Sequence, residues 1–126
     1  MKIDYDGKFF RGRSNSPSGE VSATTVFEYH QTGNRLWGRY SGGEVVEGHL
    51  LGTVAGDGAL EFCYHHLNAA GQIMAGRCSS TPVREPSGQL VLQENWQWFT
   101  GDASAGYSEV EEIDAAELIN NAPGDS

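Results

Sequence analysis

Turn signals constrain this chain more than any other feature of its sequence. Glycine-rich turns separate eight runs of alternating or β-branched residues. The runs lie near residues 8–14, 23–31, 35–41, 44–54, 59–67, 72–84, 89–100 and 106–113. No segment with helical periodicity lies between neighbouring runs, which excludes parallel βαβ units. We therefore predict an all-β fold, an eight-stranded antiparallel up-and-down meander that closes into a small barrel, because closure removes exposed edges.

The turns between the fifth, sixth and seventh runs have lengths that set the strand register. Residues 68–71 and 85–88 each suit a type I turn followed by a glycine in the left-handed region. Counting outward from these three-residue loops pairs Tyr64 with Gly76 and Cys78 with Trp96. The face that we predict to line the interior then holds Phe62, Tyr64, His66, Met74, Gly76, Cys78, Leu92, Glu94, Trp96 and Trp98.

The first two hairpins extend this inner face toward the N-terminus. Residues 33–34 (Gly-Asn) and 42–43 (Gly-Gly) suit two-residue hairpin turns. The first turn places Tyr29 and Tyr40 on the inner face, and the second pairs Tyr40 with Val45. Two more phenol hydroxyls are therefore expected inside the barrel.

The turn between the fourth and fifth runs allows two interpretations. A two-residue turn at 57–58, which we favour, gives an inner face that contains Glu47, His49 and Leu51. A three-residue loop at 56–58 gives instead an inner face that contains Gly48, Leu50 and Gly52. The choice matters because the first register places His49 opposite His66.

The predicted interior is polar for so small a domain. Buried hydroxyl, imidazole and carboxyl groups each need a partner, since an unpaired buried polar group is destabilising. We therefore predict that the barrel binds a small, partly polar organic molecule. The residues expected to contact it are Tyr29, Tyr40, Tyr64, His66, Glu94, Trp96 and Trp98. The alternative is that the tryptophans only fill the core.

An enzyme on the same barrel is the second hypothesis. Glu94 is the lone charge among apolar neighbours on its strand, so burial should raise its pKa toward the range of a general acid or base. Glu94 and His66 would then be the catalytic residues of an isomerase, cyclase or dehydratase that needs no cofactor. A purely structural Glu94, bonded to an inward tyrosine or histidine, stays open.

Neither a metal site nor a disulfide is predicted. Two histidines with carboxylates can hold a divalent ion, but the spacing of His49 and His66 is not diagnostic and depends on the uncertain turn. A satisfied core histidine is the better interpretation of His66. Cys63 and Cys78 fall on opposite faces of their hairpin, which argues against a bond between them.

A protein-interaction module with an inert, filled core is a further alternative. In the favoured register, apolar side chains gather on the outer face around Trp37, Val46, Leu50 and Val54. An exposed apolar patch of this kind is typical of a subunit interface, so a homodimer is expected. In the other register these residues belong to the core.

Charge and composition narrow the class of partner. The net charge is −9, and no cluster of Lys and Arg is present, so nucleic acid and anionic membranes are not expected partners. Neither a long apolar run nor an apolar N-terminal segment occurs, and only two cysteines are present, which indicates a cytoplasmic protein. We assign residues 1–113 to the barrel and 114–126 to an acidic tail that begins with a short helical turn.

Several short motifs between about Ile3 and Ile113 are shared with a known family. The motifs are Phe27-Glu-Tyr29 with Gly33-Asn34, Tyr40-Ser-Gly-Gly43, Tyr64-His-His66-Leu-Asn68, Gly76-Arg-Cys78, Glu94-Asn-Trp96-Gln-Trp98 with Gly101-Asp102, and Glu111-Glu-Ile113. In these motifs the chain resembles a family of small bacterial proteins of about 110 residues, often labelled "N-acetylglutamate synthase". Acetyltransferase activity is not expected, because the sequence has no glycine-rich turn opening a helix that could hold a cofactor pyrophosphate. The strand plan is also similar to calycin-like barrels of the lipocalin and avidin types, which bind small molecules.

Overall fold

The computed structural model describes residues 2–114 and shows eight strands that form a closed barrel. The strands are β1 (Phe9–Asn15), β2 (Val26–Thr32), β3 (Arg35–Gly42), β4 (Val45–Val54), β5 (Leu60–Asn68), β6 (Ile73–Arg84), β7 (Leu90–Trp98) and β8 (Ala105–Ile113). Each strand pairs antiparallel with the next, and β8 pairs with β1. The predicted all-β closed meander is confirmed. The predicted C-terminal helical turn lies mostly outside the described residues.

The register of β5, β6 and β7 is the predicted one. Tyr64 pairs with Gly76, and Cys78 pairs with Trp96. The loop at 69–71 closes through a hydrogen bond from the Asn68 amide to the Gln72 carbonyl at 2.9 Å. Gly71 has a φ of 79° and Gly88 a φ of 90°, as the turn type requires. Local turn chemistry therefore sets the register of the strands that carry most of the candidate site.

The favoured prediction of which β4 residues face the interior is wrong. Val45 points inward as predicted, but a bulge follows, so that Val46 and Glu47 are both exposed and Gly48 is buried. The bulge shifts the alternation of the strand by one residue. The residues that face inward after it are Gly48, Leu50, Gly52 and Val54. Glu47, His49 and Leu51 face outward, which keeps two polar groups out of the core.

The turns at both ends of β4 agree with this register. Gly42 pairs with Val45, so Gly43 and Glu44 are the turn residues, and Tyr40 pairs with Gly48 rather than with Val45. At the other end, the Ala55 amide donates to the Ala59 carbonyl at 2.8 Å across the three-residue loop 56–58. The three-residue interpretation of this loop is the correct one.

The outer apolar patch has a different composition from the predicted one. Leu50 and Val54 are buried in the barrel, since both lie on the inner face after the bulge. Val46 remains exposed on the outer face, and Leu51 lies there opposite the half-buried Trp37. A homodimer stays a prediction. The part of the chain that the structure describes contains no apolar helix of membrane-spanning length.

The acidic end of the chain is part of the barrel up to Ile113. Glu111 and Glu112 lie on β8, where Arg11 Nε contacts Glu111 Oε2 at 2.8 Å and Lys8 Nζ contacts Glu112 Oε2 at 3.0 Å. Half-exposed ion pairs of this kind each contribute about 0–1 kcal/mol. They place opposite charges across the β1–β8 seam that closes the barrel.

One end of the barrel interior, here called the filled end, is packed with apolar and aromatic side chains. These are Ile3, Tyr5, Phe10, Tyr29, Leu36, Leu60, Leu90, Leu92 and Val110, all buried. Tyr5 comes from the segment before β1, and its hydroxyl donates to the Gly58 carbonyl at 2.6 Å. The N-terminal segment therefore closes this end of the barrel, next to the β4–β5 loop.

Candidate functional site

The opposite end of the interior, here called the polar end, contains a cavity. Its lining is Asn15, Gly19, Glu20, Val21, Phe27, Tyr40, Phe62, Tyr64, His66, Cys78, Glu94, Trp96, Trp98 and Ser108. The cavity has a volume of about 40 Å³, which is space for a few water molecules. Six of the seven residues predicted to bind a ligand line it: Tyr40, Tyr64, His66, Glu94, Trp96 and Trp98.

Glu94 is a buried carboxyl at the inner limit of the cavity. Ser108 Oγ donates to Glu94 Oε1 at 3.0 Å, and Ser80 Oγ donates to Glu94 Oε2 at 3.2 Å. Burial raises the pKa of Glu94 to about 7, although the two hydroxyl hydrogen bonds oppose that shift. A carboxyl with this pKa can gain or lose a proton near neutral pH, as a general acid or base requires.

His66 connects the interior to the rim of the barrel. Its Nδ1 lies 2.8 Å from the Tyr40 hydroxyl, and its Nε2 lies 2.7 Å from Glu20 Oε1. Both ring nitrogens therefore have partners, while the side chain itself is buried. Burial raises the pKa of the Tyr40 hydroxyl, so Tyr40 acts as a hydrogen-bond donor rather than as a phenolate.

Trp96 and Trp98 form the aromatic wall of the cavity. Their ring centroids are 5.7 Å apart, and Trp98 also contacts Tyr64 edge-on at 5.5 Å. A side chain on Gly106 would overlap the Trp96 indole, so this glycine leaves the space that the ring fills. Gly48 is similar, since a side chain there would overlap the Tyr40 ring, so these two glycines make room for aromatic rings rather than for a larger cavity.

A family comparison fits this architecture. The family model described as "Avidin-like protein" matches residues 3–113, which is most of the chain. The chain belongs to the avidin-like family. No curated protein and no solved structure matches it significantly.

Tyr29 is the predicted ligand contact that does not line the cavity of this avidin-like barrel. It packs in the filled end, with its ring centroid 5.2 Å from that of Phe10 and 6.2 Å from that of Tyr5. Its hydroxyl is buried and has no hydrogen-bond partner among the described residues. Burial raises the pKa of this hydroxyl, and the negative charge of Glu94 adds to the shift.

The sequence interpretation missed the residues that the β1–β2 segment, residues 16–25, brings to the site. This segment crosses the mouth of the avidin-like barrel, where the Trp98 indole N–H donates to the Ser18 carbonyl at 3.2 Å. Just before it, Asn15 Oδ1 accepts from the Trp96 indole N–H at 3.2 Å. Glu20 and Val21 complete the lining. The one available signal was length, since this is the longest connection between two strands.

The remaining candidate groups have little reactive chemistry. Burial raises the pKa of the Cys78 thiol, which disfavours a thiolate nucleophile. Cys63 is exposed on the outer face, and both cysteines are free. His49 bonds to Glu47 outside the avidin-like barrel at 3.0 Å, so it does not face His66. Residues 2–114 hold no cluster of three or more metal-ligating side chains.

Proposed function

We propose that this avidin-like barrel binds a small, partly polar organic molecule at its polar end. The observation that carries the proposal is the cavity in which the buried carboxyl of Glu94, the imidazole of His66 and the indoles of two tryptophans meet. Binding sites for small molecules typically combine apolar walls with a few oriented polar groups. Membership of the avidin-like family supports the same class of function.

Each side of the cavity would have its own part in binding. Trp96 and Trp98 would supply flat apolar contact, while Glu94 would orient a donor group of the ligand from the inner limit of the cavity. His66 and Tyr64 would contact the end of the ligand nearest the mouth. Acetyl transfer is not part of the proposal, because residues 2–114 contain no helix whose N-terminus could hold a cofactor pyrophosphate.

A thermal-shift screen with small aromatic acids, amides and amines tests the proposal. A ligand present at one hundred times its dissociation constant should raise the free energy of unfolding by about 2.7 kcal/mol. Trp98→Phe should weaken binding of each hit by about three- to tenfold. Trp37→Phe, the same substitution on the outer face, is the control and should leave affinity unchanged. Hits that respond only to Trp37→Phe would contradict the proposal.

Acid–base catalysis in the same cavity is the second candidate, and the pKa of Glu94 favours it. In such an enzyme Glu94 would transfer the proton, and a nearby hydrogen-bond donor would stabilise developing charge. A ¹³C NMR titration of the Glu94 carboxyl tests this directly. A pKa near the ordinary value of a glutamate would remove the enzyme hypothesis and leave binding as the proposed function.

A further inference from the structure

We propose that the Glu20 carboxylate occupies the subsite of an anionic ligand group, and that the ligands of this barrel are small organic carboxylates that replace it. This inference rests on the proposed binding function and adds the chemical class of the ligand. It follows from the contacts of Glu20, from the way the barrel holds its partners, and from the size of the cavity.

Glu20 reaches into the mouth of the barrel with both carboxylate oxygens engaged. Its Oε1 lies 2.7 Å from His66 Nε2, and its Oε2 accepts from Asn68 Nδ2 at 3.1 Å. An ionised carboxylate only accepts hydrogen bonds, so His66 Nε2 carries its proton. The barrel therefore presents two N–H donors to one carboxylate, in the arrangement that a carboxylic acid ligand would need.

The barrel holds these two donors in place independently of Glu20. His66 is fixed from behind by the Tyr40 hydroxyl at its Nδ1 and by edge-on contact with Trp98 at 5.7 Å. Asn68 is fixed through its Oδ1, which accepts from the amides of Ala70 and Gln72 at 3.1 and 2.9 Å. The donors would therefore keep their positions if another carboxylate took the place of Glu20.

Glu20 itself belongs to no strand, unlike the residues that it contacts. It lies within the β1–β2 segment, and its side chain is about one-fifth exposed, at 21%. The segment keeps separate attachments at Ser18, bonded to Trp98, and at Thr25, whose Oγ1 donates to the Gly42 carbonyl at 3.0 Å. Moving the Glu20 side chain would therefore break no strand pairing and no anchor of the segment.

The cavity is so small that a lining side chain must move before an organic ligand can enter. The cavity volume is about 40 Å³, which is too small for an organic ligand of ordinary size. Among the lining groups, Gly19, Glu20 and Val21 are outside the strands. A ligand that displaces the Glu20 side chain would occupy the space of that side chain and accept hydrogen bonds from His66 and Asn68.

The chemistry of the vacated subsite favours an anion over a cation. His66 Nε2–H and Asn68 Nδ2–H are both donors, and an ammonium group has no acceptor to offer them. The chain carries a net charge of −9, which would disfavour an added anion. Exchange of the Glu20 carboxylate for a ligand carboxylate, however, leaves the charge within the subsite unchanged. A neutral amide could accept these bonds but would lack the added strength of a charged acceptor.

Titration calorimetry with benzoate, benzamide and benzylamine tests the inference on wild type, Glu20→Ala and Glu44→Ala. Glu44 is an exposed glutamate in the β3–β4 turn, so its variant controls for the same change in net charge. Glu20→Ala should bind benzoate about tenfold more tightly than wild type, because the internal competitor is gone. Glu44→Ala should match wild type, and Asn68→Ala placed in Glu20→Ala should reverse the gain.

The outcomes separate this inference from the proposed function. If benzamide or benzylamine binds at the polar end while Glu20→Ala gives benzoate no advantage, the barrel binds small molecules but carboxylates are not their class. If none of the three probes binds either protein, the carboxylate inference fails, while the proposed binding function is decided by the thermal-shift screen. If Glu20→Ala does not fold, Glu20→Gln keeps the side-chain length and should show a smaller gain for benzoate in the same direction.

Discussion

The two ends of the barrel interior are built from the same strands and differ in what closes them. On β7 the inward residues change along the strand from Leu90 and Leu92 to Glu94, Trp96 and Trp98. The filled end is closed by apolar packing against Tyr5 and neighbouring rings. The polar end is closed by hydrogen bonds from inward side chains to the β1–β2 segment.

This difference places the polar groups that could bind a ligand at one end of the barrel axis. At the filled end, apolar burial provides the stabilisation, and the cavity does not extend there. At the polar end, the interior holds a carboxyl with a raised pKa and a buried histidine, groups that are costlier to bury than apolar side chains. The polar end is therefore where binding is expected, and the filled end is the support that holds it.

The largest expected effect at the polar end is that of Trp96→Ala. Loss of a buried indole should lower the free energy of unfolding by about 3–5 kcal/mol, as measured by urea denaturation. Gln97→Ala, at the next and outward-facing position, should change it by less than about 0.5 kcal/mol. A loss below about 1 kcal/mol for Trp96→Ala would show that the ring is not part of the packed interior.

At the filled end, Leu92→Ala should lower the free energy of unfolding by about 2–5 kcal/mol through lost burial and the cavity left behind. The variant should keep its affinity for any ligand of the polar end, provided that it is measured below its unfolding transition. Calorimetry on the folded variant checks this. A large loss of affinity would show that the two ends are not separable.

Glu94→Gln should remove a pH dependence of stability. The folded pKa of about 7 lies above the ordinary value of 4.5, so between these values the folded chain keeps a proton that the unfolded chain releases. The free energy of unfolding of wild type should therefore fall as the pH rises through this window, by about 3 kcal/mol, and level off above it. Relative to wild type, Glu94→Gln should gain that amount between pH 4.5 and 8. An unchanged difference across the window would refute the raised pKa.

The smallest expected effect is that of Gly48→Ala. A Cβ at this position would overlap the Tyr40 ring, so the substitution should cost about 1–3 kcal/mol by overpacking. Gly56→Ala is the matched control, since a Cβ there meets no atom within 4 Å. Denaturation midpoints should separate the two variants. Equal stability would mean that the ring of Tyr40 can move freely at the polar end.

The parts of the molecule that sequence reasoning could predict are those decided by local chemistry. The glycines at positions 71 and 88 occupy the left-handed position of a standard turn, and their loops carry the register of β5 to β7. The inward placement of Glu94, Trp96 and Trp98 follows from those loops alone. This is why most of the candidate site residues could be named in advance.

The remaining features depend on contacts between distant parts of the chain. The loop at 56–58 indicates the inner face of Gly48, Leu50 and Gly52, and the turn before β4 indicates that of Val45, but no local pattern shows where a bulge joins the two alternations. Glu20 and His66 are 46 positions apart, and the segment that brings them together has no periodicity to interpret. Local sequence patterns therefore could not predict that Glu20 is a partner of His66.

The most direct test of the account uses the three tryptophans as reporters in two-dimensional ¹⁵N–¹H NMR of the indole N–H groups. Trp96 and Trp98 line the cavity, whereas Trp37 lies on the outer face. Small molecules that stabilise the protein should shift the signals of Trp96 and Trp98 and leave that of Trp37 in place. Stabilising ligands that shift only Trp37 would contradict the claim that the polar end of the barrel is the binding site.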